Sequence, residues 1–306
     1  MLTGFTRGAS ASSRGPCRFA GLVTLAALLL PGCATQSVLY EKASRYSTII
    51  VTEDQRGLRT LLFDRGDVRQ SVVKPGDPDH LELPYARVAL VGLAMCEEPR
   101  RILVVGLGGG TLPSFLRKHY PEAVIDAVEI DPEVVDVARK FFGFREDARM
   151  QAHVGDGRNF IENVRPPGYD IIFLDAFGTD SVPVHLTTEE FLQAVRRAVA
   201  PGGVVVGNLW RRSHNRLYDS MVRTYQEVFD ELFILEVFGD VNNILLALPR
   251  KQRFSRSELA LLARKVSAAG QFRFDMGDLV EAAFFHAEEK NQEGRVLRDS
   301  DLGQQK

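Results

Sequence analysis

The residues whose types and spacing could do chemistry lie in four segments, each at the end of an expected strand. They are a glycine-rich loop at residues 106–110 and three carboxylates that follow later strands, Glu129, Asp156 and Asp175. A carboxylate accepts hydrogen bonds from hydroxyl and amino groups and can also take up a proton. In an open α/β sheet, ligands bind outside the carboxyl ends of the strands. Four such segments in this order predict one shared ligand site.

The glycine-rich loop reads Gly106-Leu107-Gly108-Gly109-Gly110-Thr111 and follows the apolar residues 102–105. Glycine lets the backbone turn sharply and pass close to a ligand. A dinucleotide fingerprint needs its third glycine where Thr111 stands. The spacing of Gly106, Gly108 and Gly110 is instead typical of folds that bind S-adenosylmethionine, so we predict that these three glycines contact such a cofactor.

The second segment places Glu129 at the end of the next expected strand. An acidic side chain at this point can accept hydrogen bonds from both hydroxyls of a ribose. We therefore predict that Glu129 binds the ribose of the cofactor. Asp131 immediately precedes Pro132 and fits better as the N-cap of the following helix.

The third and fourth segments supply Asp156, Gly157 and Asp175. A carboxylate among small residues at a strand end can accept from an adenine amino group, which makes Asp156 and Gly157 candidate adenine contacts. An ordinary N-cap explains Asp156 equally well. Asp175 follows four apolar residues, 171–174, and is predicted to face the solvent near the reactive end of the cofactor.

Alternating apolar and amphipathic segments must position these residues. Such alternation demands a parallel sheet covered on both faces. We predict an α/β, Rossmann-like fold of the class I methyltransferase type, with a seven-stranded sheet in which the last strand enters antiparallel. Thr187 and Glu190 predict a capping box for the fourth helix of this series. The strands are expected at residues 101–105, 124–129, 150–154, 170–174, 203–208, 233–237 and 243–248, and the helices at 111–119, 132–141, 158–164, 188–199 and 215–229.

Shorter patterns flank this α/β region. Alternating residues between 47 and 73, with the turn Asp64-Arg65-Gly66-Asp67, predict a small antiparallel β unit, and residues 85–95 predict a helix. Residues 255–269 and 275–290 predict two more helices, and residues 291–306 are expected to be poorly ordered. The predicted regions are therefore a leader (1–33), a β-hairpin unit (40–98), a nucleoside-binding catalytic domain (99–250) and a helical, partly disordered tail (251–306).

The composition excludes some partners. The 306 residues include 38 lysines and arginines against 40 aspartates and glutamates, so no basic excess is available to neutralise a nucleic acid backbone. The three cysteines and six histidines are scattered rather than grouped at metal-ligand spacing. We predict neither a nucleic acid partner nor a metal site.

The first forty residues are a different kind of sequence. Three arginines precede an apolar run at residues 19–30, which is too short for a bilayer span and suits a signal peptide. The following Leu30-Pro31-Gly32-Cys33-Ala34 resembles a bacterial lipobox and predicts that Cys33 is lipidated, so that a lipoprotein is anchored to the membrane of the cell envelope. The alternatives are an uncleaved N-terminal anchor, or an untranslated upstream extension on a cytoplasmic protein.

Taken together, residues 46–248 resemble the spermidine synthase family, the polyamine aminopropyltransferases. The resemblance implies that Gln70, at the end of a hairpin, contacts the cofactor, and that Asp175 deprotonates the attacking amine. It also implies that Tyr85 and Asp180 bind the substrate amine. The co-substrate would be decarboxylated S-adenosylmethionine or S-adenosylmethionine, and the family implies a homodimer formed through the β hairpins.

Several residues depart from the family pattern, and the departures share one direction, a loss of negative charge. Gly109 stands where the family has an aspartate that holds the aminopropyl amine, and Arg87 stands where it has a glutamate. The loop between Asp175 and Asp180 is two residues longer, and residues 239–243 replace a late tyrosine. Because diamines are dications, the loss of carboxylates is expected to weaken their binding. The pattern resembles the spermidine synthase-like branch with an altered polyamine site.

Three hypotheses follow. The first is transfer of an aminopropyl group from decarboxylated S-adenosylmethionine to an amine, with Asp175 as the base. The second is methyl transfer from S-adenosylmethionine on the same fold, although Val104 stands where many methyltransferases have an acidic residue. The third is a non-catalytic, envelope-anchored nucleoside-binding protein, which the N-terminal segment suggests.

Overall fold

Alternating residues near the N-terminus form an antiparallel four-stranded sheet. The computed structural model of the chain describes residues 36–66, 68–96, 98–165, 168–178 and 182–302. Its first four strands pair in the order β1-β2-β3-β4. Hairpin turns join them, and the last hairpin carries Gln70. The bounds are β1 (Ser37–Ala43), β2 (Thr48–Glu53), β3 (Arg59–Phe63) and β4 (Arg69–Val73). The sequence patterns predicted β2, β3 and β4; β1, whose residues are mostly exposed, shows no such pattern.

The second sheet has eight strands in the order β12-β10-β11-β9-β8-β5-β6-β7. Strands β5 to β9 run parallel, and β11 pairs antiparallel with both β9 and β10. The predicted α/β class with a small N-terminal antiparallel sheet is confirmed, but the sheet has eight strands rather than the predicted seven, because residues 284–286 add a strand at its edge. The strands are β5 (Arg101–Val105), β6 (Val124–Glu129), β7 (Met150–Val154), β8 (Tyr169–Leu174), β9 (Val199–Trp210), β10 (Glu231–Glu236), β11 (Asn242–Leu248) and β12 (Phe284–His286).

Helices cover both faces of this sheet because successive strand residues point to opposite sides. Ile102 and Val104 of β5 belong to one apolar core, and Leu103 and Val105 belong to another. The helices are α1 (Pro84–Ala89), α2 (Thr111–His119), α3 (Pro132–Phe141), α4 (Gly157–Glu162), α5 (Glu189–Ala198), α6 (Tyr218–Val228), α7 (Arg256–Ala269) and α8 (Met276–Ala283). Helices α2, α7 and α8 pack on the first core, and α5 and α6 on the second.

Two helix boundaries differ from those expected. Helix α5 is capped by Thr188, whose Oγ1 accepts from the Phe191 N–H at 3.3 Å, and the predicted cap Thr187 is wrong. Thr188 has the extended backbone that an N-cap needs, whereas Thr187 ends a 3₁₀ turn and donates to the Val184 carbonyl at 2.7 Å. The predicted helix at residues 85–95 is α-helical only as far as Ala89 and continues as a 3₁₀ helix, Leu90–Met95.

The C-terminal region also differs from its prediction. The expected helix at residues 275–290 ends at Ala283, and the next three residues form β12, which pairs with the edge strand β10. Residues 291–302, which belong to the end that was expected to be poorly ordered, make tertiary contacts in the structure. Leu297 is buried, its N–H donates to Thr224 Oγ1 at 3.0 Å, and Asp299 forms two hydrogen bonds with Arg158. Tertiary contacts therefore order a polar segment that has no strong local pattern.

No helix in the described part of the chain is long and apolar enough to cross a membrane. Cys33 and the N-terminal residues around it lie outside the described residues. Lipidation of Cys33 and the location of the chain in the cell therefore stay predictions.

Candidate functional site

A cavity of about 320 Å³ lies between the four-stranded sheet and the carboxyl ends of β5, β6 and β8. Its position follows from the strand order, because β5 is flanked by β6 on one side and β8 on the other, and connections leave in opposite directions there. Six of the predicted nucleoside-binding residues line it: Gln70, Gly106, Gly108, Glu129, Asp156 and Gly157. Asp175 and Tyr85 line the same cavity. The tertiary structure thus brings together residues that the sequence places on six separate segments.

The glycine loop passes close against the strand that carries Asp175. Gly106 has a backbone φ of 97°, which residues with a side chain rarely adopt. A Cβ at this residue would lie 2.3 Å from the Asp175 carbonyl oxygen. Gly108 faces the cavity beneath β4. Only glycine can make this close approach, which leaves the backbone of the loop open to a ligand.

Gly110 has a different place from the other two glycines. It precedes α2 with a left-handed φ of 72°, and a Cβ there would be 2.7 Å from the Phe144 ring. Gly110 is not among the residues that line the cavity, so the structure gives it a role in the turn and in packing. Its neighbour Gly109 does not line the cavity either, and a side chain at residue 109 would meet Phe142 at 2.6 Å and Ser71 at 2.8 Å.

Glu129 is buried at the end of β6 and is held by the backbone. One carboxylate oxygen accepts from the Leu107 N–H and the other from the Asp131 N–H, each at 3.1 Å. Burial raises the pKa of Glu129, although these hydrogen bonds oppose the shift. Each oxygen retains a lone pair, so the carboxylate fits a pair of ligand hydroxyls on its cavity side. Asp131 caps α3 as expected, accepting from the Glu133 N–H at 2.9 Å.

Asp156 lines the cavity and also caps a helix, so both of its predicted roles are compatible. Oδ1 accepts from the Asn159 N–H at 2.9 Å at the start of α4, and Oδ2 bonds to Nε2 of His185 at 2.9 Å. Burial alone would raise the pKa of Asp156, but these hydrogen bonds outweigh it and hold the pKa below its ordinary value. A carboxylate that stays ionised is a suitable acceptor for an amino group.

Asp175 follows β8 and has two side-chain neighbours that hold its carboxylate. Asn208 Nδ2 donates to Oδ1 at 2.8 Å, and the Tyr85 hydroxyl donates to Oδ2 at 3.3 Å. Asn242 Nδ2 in turn donates to Asn208 Oδ1 at 2.7 Å, which fixes the orientation of the Asn208 amide. Burial raises the pKa of Asp175 to about 7, against the opposing effect of both hydrogen bonds. A carboxylate with a pKa near 7 is suited to general base catalysis.

Two aromatic residues and one aspartate complete the end of the cavity that contains Asp175. The rings of Phe177 and Trp210 stack with centroids 5.6 Å apart, and both residues line the cavity. Asp240, in the connection between β10 and β11, lines it as well. Asp240 also contributes to the raised pKa of the Tyr85 hydroxyl, after burial and Asp175.

Some predicted residues lie elsewhere. Arg87 does not line the cavity, so its charge does not face a bound amine there. Asp180 and Cys33 lie outside the described residues. His185, Asn208, Trp210 and Asp240 also line the cavity and were not predicted from the sequence. Asn208 is the polar residue that ends a predicted strand, the same signal that identified Glu129, whereas His185 and Asp240 lie in loops without such a signal.

Metal ligands are not grouped in the described part of the chain. No three histidine, cysteine, aspartate or glutamate residues described there come together in a way that could hold a metal ion.

Comparison with known proteins agrees with this geometry. The family profile named "Spermine/spermidine synthase domain" matches residues 85–233. The polyamine aminopropyltransferase of Vibrio vulnificus (strain CMCP6) is 36% identical over 249 residues, which cover 78% of this chain and 82% of that protein.

Two solved structures are also similar. A probable spermidine synthase from Corynebacterium glutamicum ATCC 13032 superposes with a TM-score of 0.68 at 23% identity, covering 85% of this chain and 96% of that one. Human methyltransferase-like protein 13, solved in complex with SAH, superposes with a TM-score of 0.57 at 33% identity, covering 62% of this chain and 93% of that one. Both similarities support the fold.

Proposed function

The chain belongs to the spermine/spermidine synthase family, and we propose that it transfers an aminopropyl group from decarboxylated S-adenosylmethionine to an amine. The observation that carries this proposal is the environment of the Asp175 carboxylate and the raised pKa that results from it. Its carboxylate shares a cavity with Glu129 and Asp156, two hydrogen bonds orient it, and its pKa is about 7. The same cavity therefore supplies hydrogen-bond acceptors for a nucleoside and a base for an amine.

The residues present fit a nucleoside with a sulfonium group. Glu129 would hold the ribose hydroxyls, Asp156 and Gly157 the adenine, and Gly106, Gly108 and Gln70 the sulfonium end. The sulfonium supplies an electrophilic carbon and a neutral leaving group, methylthioadenosine. No carboxylate projects from the glycine loop, because residue 109 is glycine and does not line the cavity.

Asp175 is proposed to remove the proton that keeps the acceptor amine unreactive. Alkyl ammonium groups titrate near pH 10, as lysine does, so an attacking amine must lose a proton in the site. The ionised Asp175 carboxylate accepts that proton, and hydrogen bonds from Asn208 and Tyr85 hold the carboxylate in place. The amine lone pair then forms the new C–N bond as the C–S bond breaks. Correct positioning of the two reactants supplies much of the remaining rate enhancement.

Methyl transfer from intact S-adenosylmethionine is the second candidate function, and two observations favour it. The human methyltransferase-like structure at 33% identity is a complex with SAH. Gly109 also brings no negative charge that would repel the carboxylate of intact S-adenosylmethionine. Asp175 would serve the same role toward an amine acceptor in this reaction.

Calorimetric titration of the purified chain with S-adenosylmethionine, decarboxylated S-adenosylmethionine and methylthioadenosine tests both candidates. We expect preference for the decarboxylated donor and release of methylthioadenosine on addition of 1,4-diaminobutane. Preference for intact S-adenosylmethionine would move the assignment to methyl transfer. If none of the three ligands bound, the chain would have to be regarded as a non-catalytic protein.

An Asp175→Asn variant isolates the role of the base. We expect the transfer rate to fall by about 10²–10⁴-fold, the usual contribution of a general base, while affinity for methylthioadenosine changes little. Asp136→Asn is the matched control, because Asp136 is an exposed aspartate of α3 that does not line the cavity. Equal rates for the two variants would contradict the assignment of Asp175.

A further inference from the structure

We propose that Asp240 is the residue that selects an acceptor amine carrying a second positive charge, and that Phe177 and Trp210 form the wall along which the acceptor lies. This inference rests on the proposed transfer to an amine and adds the residues that determine acceptor specificity. The family resemblance points instead to Asp180 for this task.

The aromatic wall stands at the Asp175 end of the cavity. Phe177 lies two residues after Asp175, and Trp210 lies two residues after Asn208, which donates to Asp175. Their rings stack at a centroid distance of 5.6 Å with an interplanar angle of 27°. Aromatic faces accommodate both an alkyl linker and a cation, so an alkylammonium bound at Asp175 has a suitable surface beside it.

Asp240 is held in the cavity wall by Arg211. The Arg211 guanidinium donates to the carbonyl oxygens of Val237, at 3.0 Å, and of Asp240, while the Arg211 backbone N–H donates to the Val241 carbonyl at 2.7 Å. These bonds tie the loop between β10 and β11 to the end of β9, directly after Trp210. The loop is thus fixed against the aromatic wall, and Arg211 acts as a positioning residue whose hydrogen bonds go to backbone oxygens.

The Asp240 carboxylate is available for a ligand. Its Oδ1 accepts from the Val241 N–H at 2.8 Å, and the neighbouring Arg211 guanidinium donates to the backbone oxygen of Asp240 rather than to its carboxylate. Its charge reaches Tyr85, where it helps to raise the pKa of the hydroxyl that donates to Asp175. Both carboxylates thus act on the Tyr85 hydroxyl, and all three residues line the same cavity. A diamine whose reacting nitrogen sits at Asp175 can direct its other ammonium group toward Asp240.

Asp240 also compensates in part for the acidic groups that this sequence lacks relative to the family pattern. Arg87, which replaces a family carboxylate, does not line the cavity, while Asp240 does. Among the residues that the structure describes, the cavity end that receives the amine therefore has two carboxylates and no lining lysine; the one lining arginine, Arg69, is on β4 beside Gln70. Such an end favours a dication over a monocation of the same length.

The fluorescence of Trp210 provides a direct test, because it is the only tryptophan of the chain. The full chain, with methylthioadenosine present, is titrated with 1,4-diaminobutane and with the monoamine 1-aminobutane. We expect saturable changes in emission with both amines and tighter binding of the diamine. In Asp240→Asn, diamine affinity should fall about tenfold or more, as a charged hydrogen bond is lost, while monoamine affinity stays within about twofold.

Glu236→Gln is the matched control, since Glu236 ends β10 of the same hairpin, is exposed, and does not line the cavity. It should leave both amine affinities unchanged. The inference would be overturned if Asp240→Asn weakened the binding of both amines equally or had no effect on either. It would also be overturned if Trp210 fluorescence did not respond to any amine. These outcomes are independent of catalysis, because a chain that fails to release methylthioadenosine from the donor can still bind an amine beside Trp210.

Discussion

Single residues around Asp175 set the chemistry of the site. The protein surroundings raise the pKa of this carboxyl, whereas the amide of Asn208 and the hydroxyl of Tyr85 stabilise its ionised form and lower the pKa. The balance leaves the pKa at about 7 rather than at the ordinary value of 3.8. Asp175 is thus a stronger base than a surface aspartate and is still largely ionised just above neutral pH.

The first prediction concerns pH. Transfer needs the ionised form, so kcat/KM should rise with pH, tenfold per unit below the pKa of Asp175, and level off above about pH 7. Because the Asn208 hydrogen bond lowers that pKa, Asn208→Ala should move the midpoint of the rise to higher pH. The pH profile of methylthioadenosine release measures both effects. The control is Asn163→Ala, which changes an exposed asparagine at the C-terminus of α4 and should leave the midpoint in place. An unchanged midpoint in Asn208→Ala would exclude Asn208 as a partner of the base.

At the scale of elements, the glycine loop joins β5 to α2 and packs against the end of β8. The Gly106 N–H donates to the Val128 carbonyl and the Asp175 N–H donates to the Val105 carbonyl, each at 2.8 Å. The loop proposed to face the nucleoside and the proposed base, Asp175, are thus joined through backbone contacts. A change in the loop backbone is therefore expected to displace Asp175 as well.

The second prediction separates close packing from backbone conformation. Gly106→Ala should lower the free energy of unfolding by at least about 3 kcal/mol, because the added methyl group meets the Asp175 backbone at 2.3 Å and the φ is 97°. Gly76→Ala has a comparable φ of 81° but open space around its Cβ, so its cost should be about 1 kcal/mol. Chemical denaturation measures both. Equal losses would show that the contact with Asp175 adds nothing to the cost of the positive φ.

At the scale of the whole molecule, the C-terminal helices are part of the main apolar core. Leu259 and Ala263 of α7 and Met276 and Val280 of α8 are buried in the same core as Ile102 and Val104 of the central strand β5. The strand β12 follows α8 and extends the sheet beyond β10. Residues 256–286 should therefore unfold together with the α/β domain.

The third prediction tests this cooperativity. Met276→Ala should lower the stability of the entire α/β domain by about 2–5 kcal/mol, the usual cost for a fully buried methionine. Leu261→Ala, on the exposed side of α7, should cost less than about 0.5 kcal/mol. Single transitions by far-UV circular dichroism and by Trp210 fluorescence should coincide. A separate early transition in Met276→Ala would show instead that the C-terminal helices unfold on their own.

The sequence by itself determined the fold class and identified cavity residues that are proposed to bind the nucleoside. An apolar strand followed by glycine or a carboxylate is a local pattern, and parallel strands bring their carboxyl ends to one edge whatever the loops do. Gly106, Glu129, Asp156 and Asp175 could therefore be assigned to one site from their spacing alone. The capping role of Asp131 was predictable for the same reason, since it depends only on the next three residues.

Only the tertiary structure decided the part of the cavity that is proposed to bind the acceptor. Asn208, Trp210 and Asp240 belong to β9 and to the loop before β11, and they come together because β11 inserts antiparallel beside β9. The pKa of Asp175 depends on burial by elements distant in the chain, and β12 forms because an edge strand offers unpaired backbone groups to residues with a helical pattern. Long-range pairing and burial are properties of the folded chain and leave little local signal, so the residues that depend on them could not be identified from the sequence pattern.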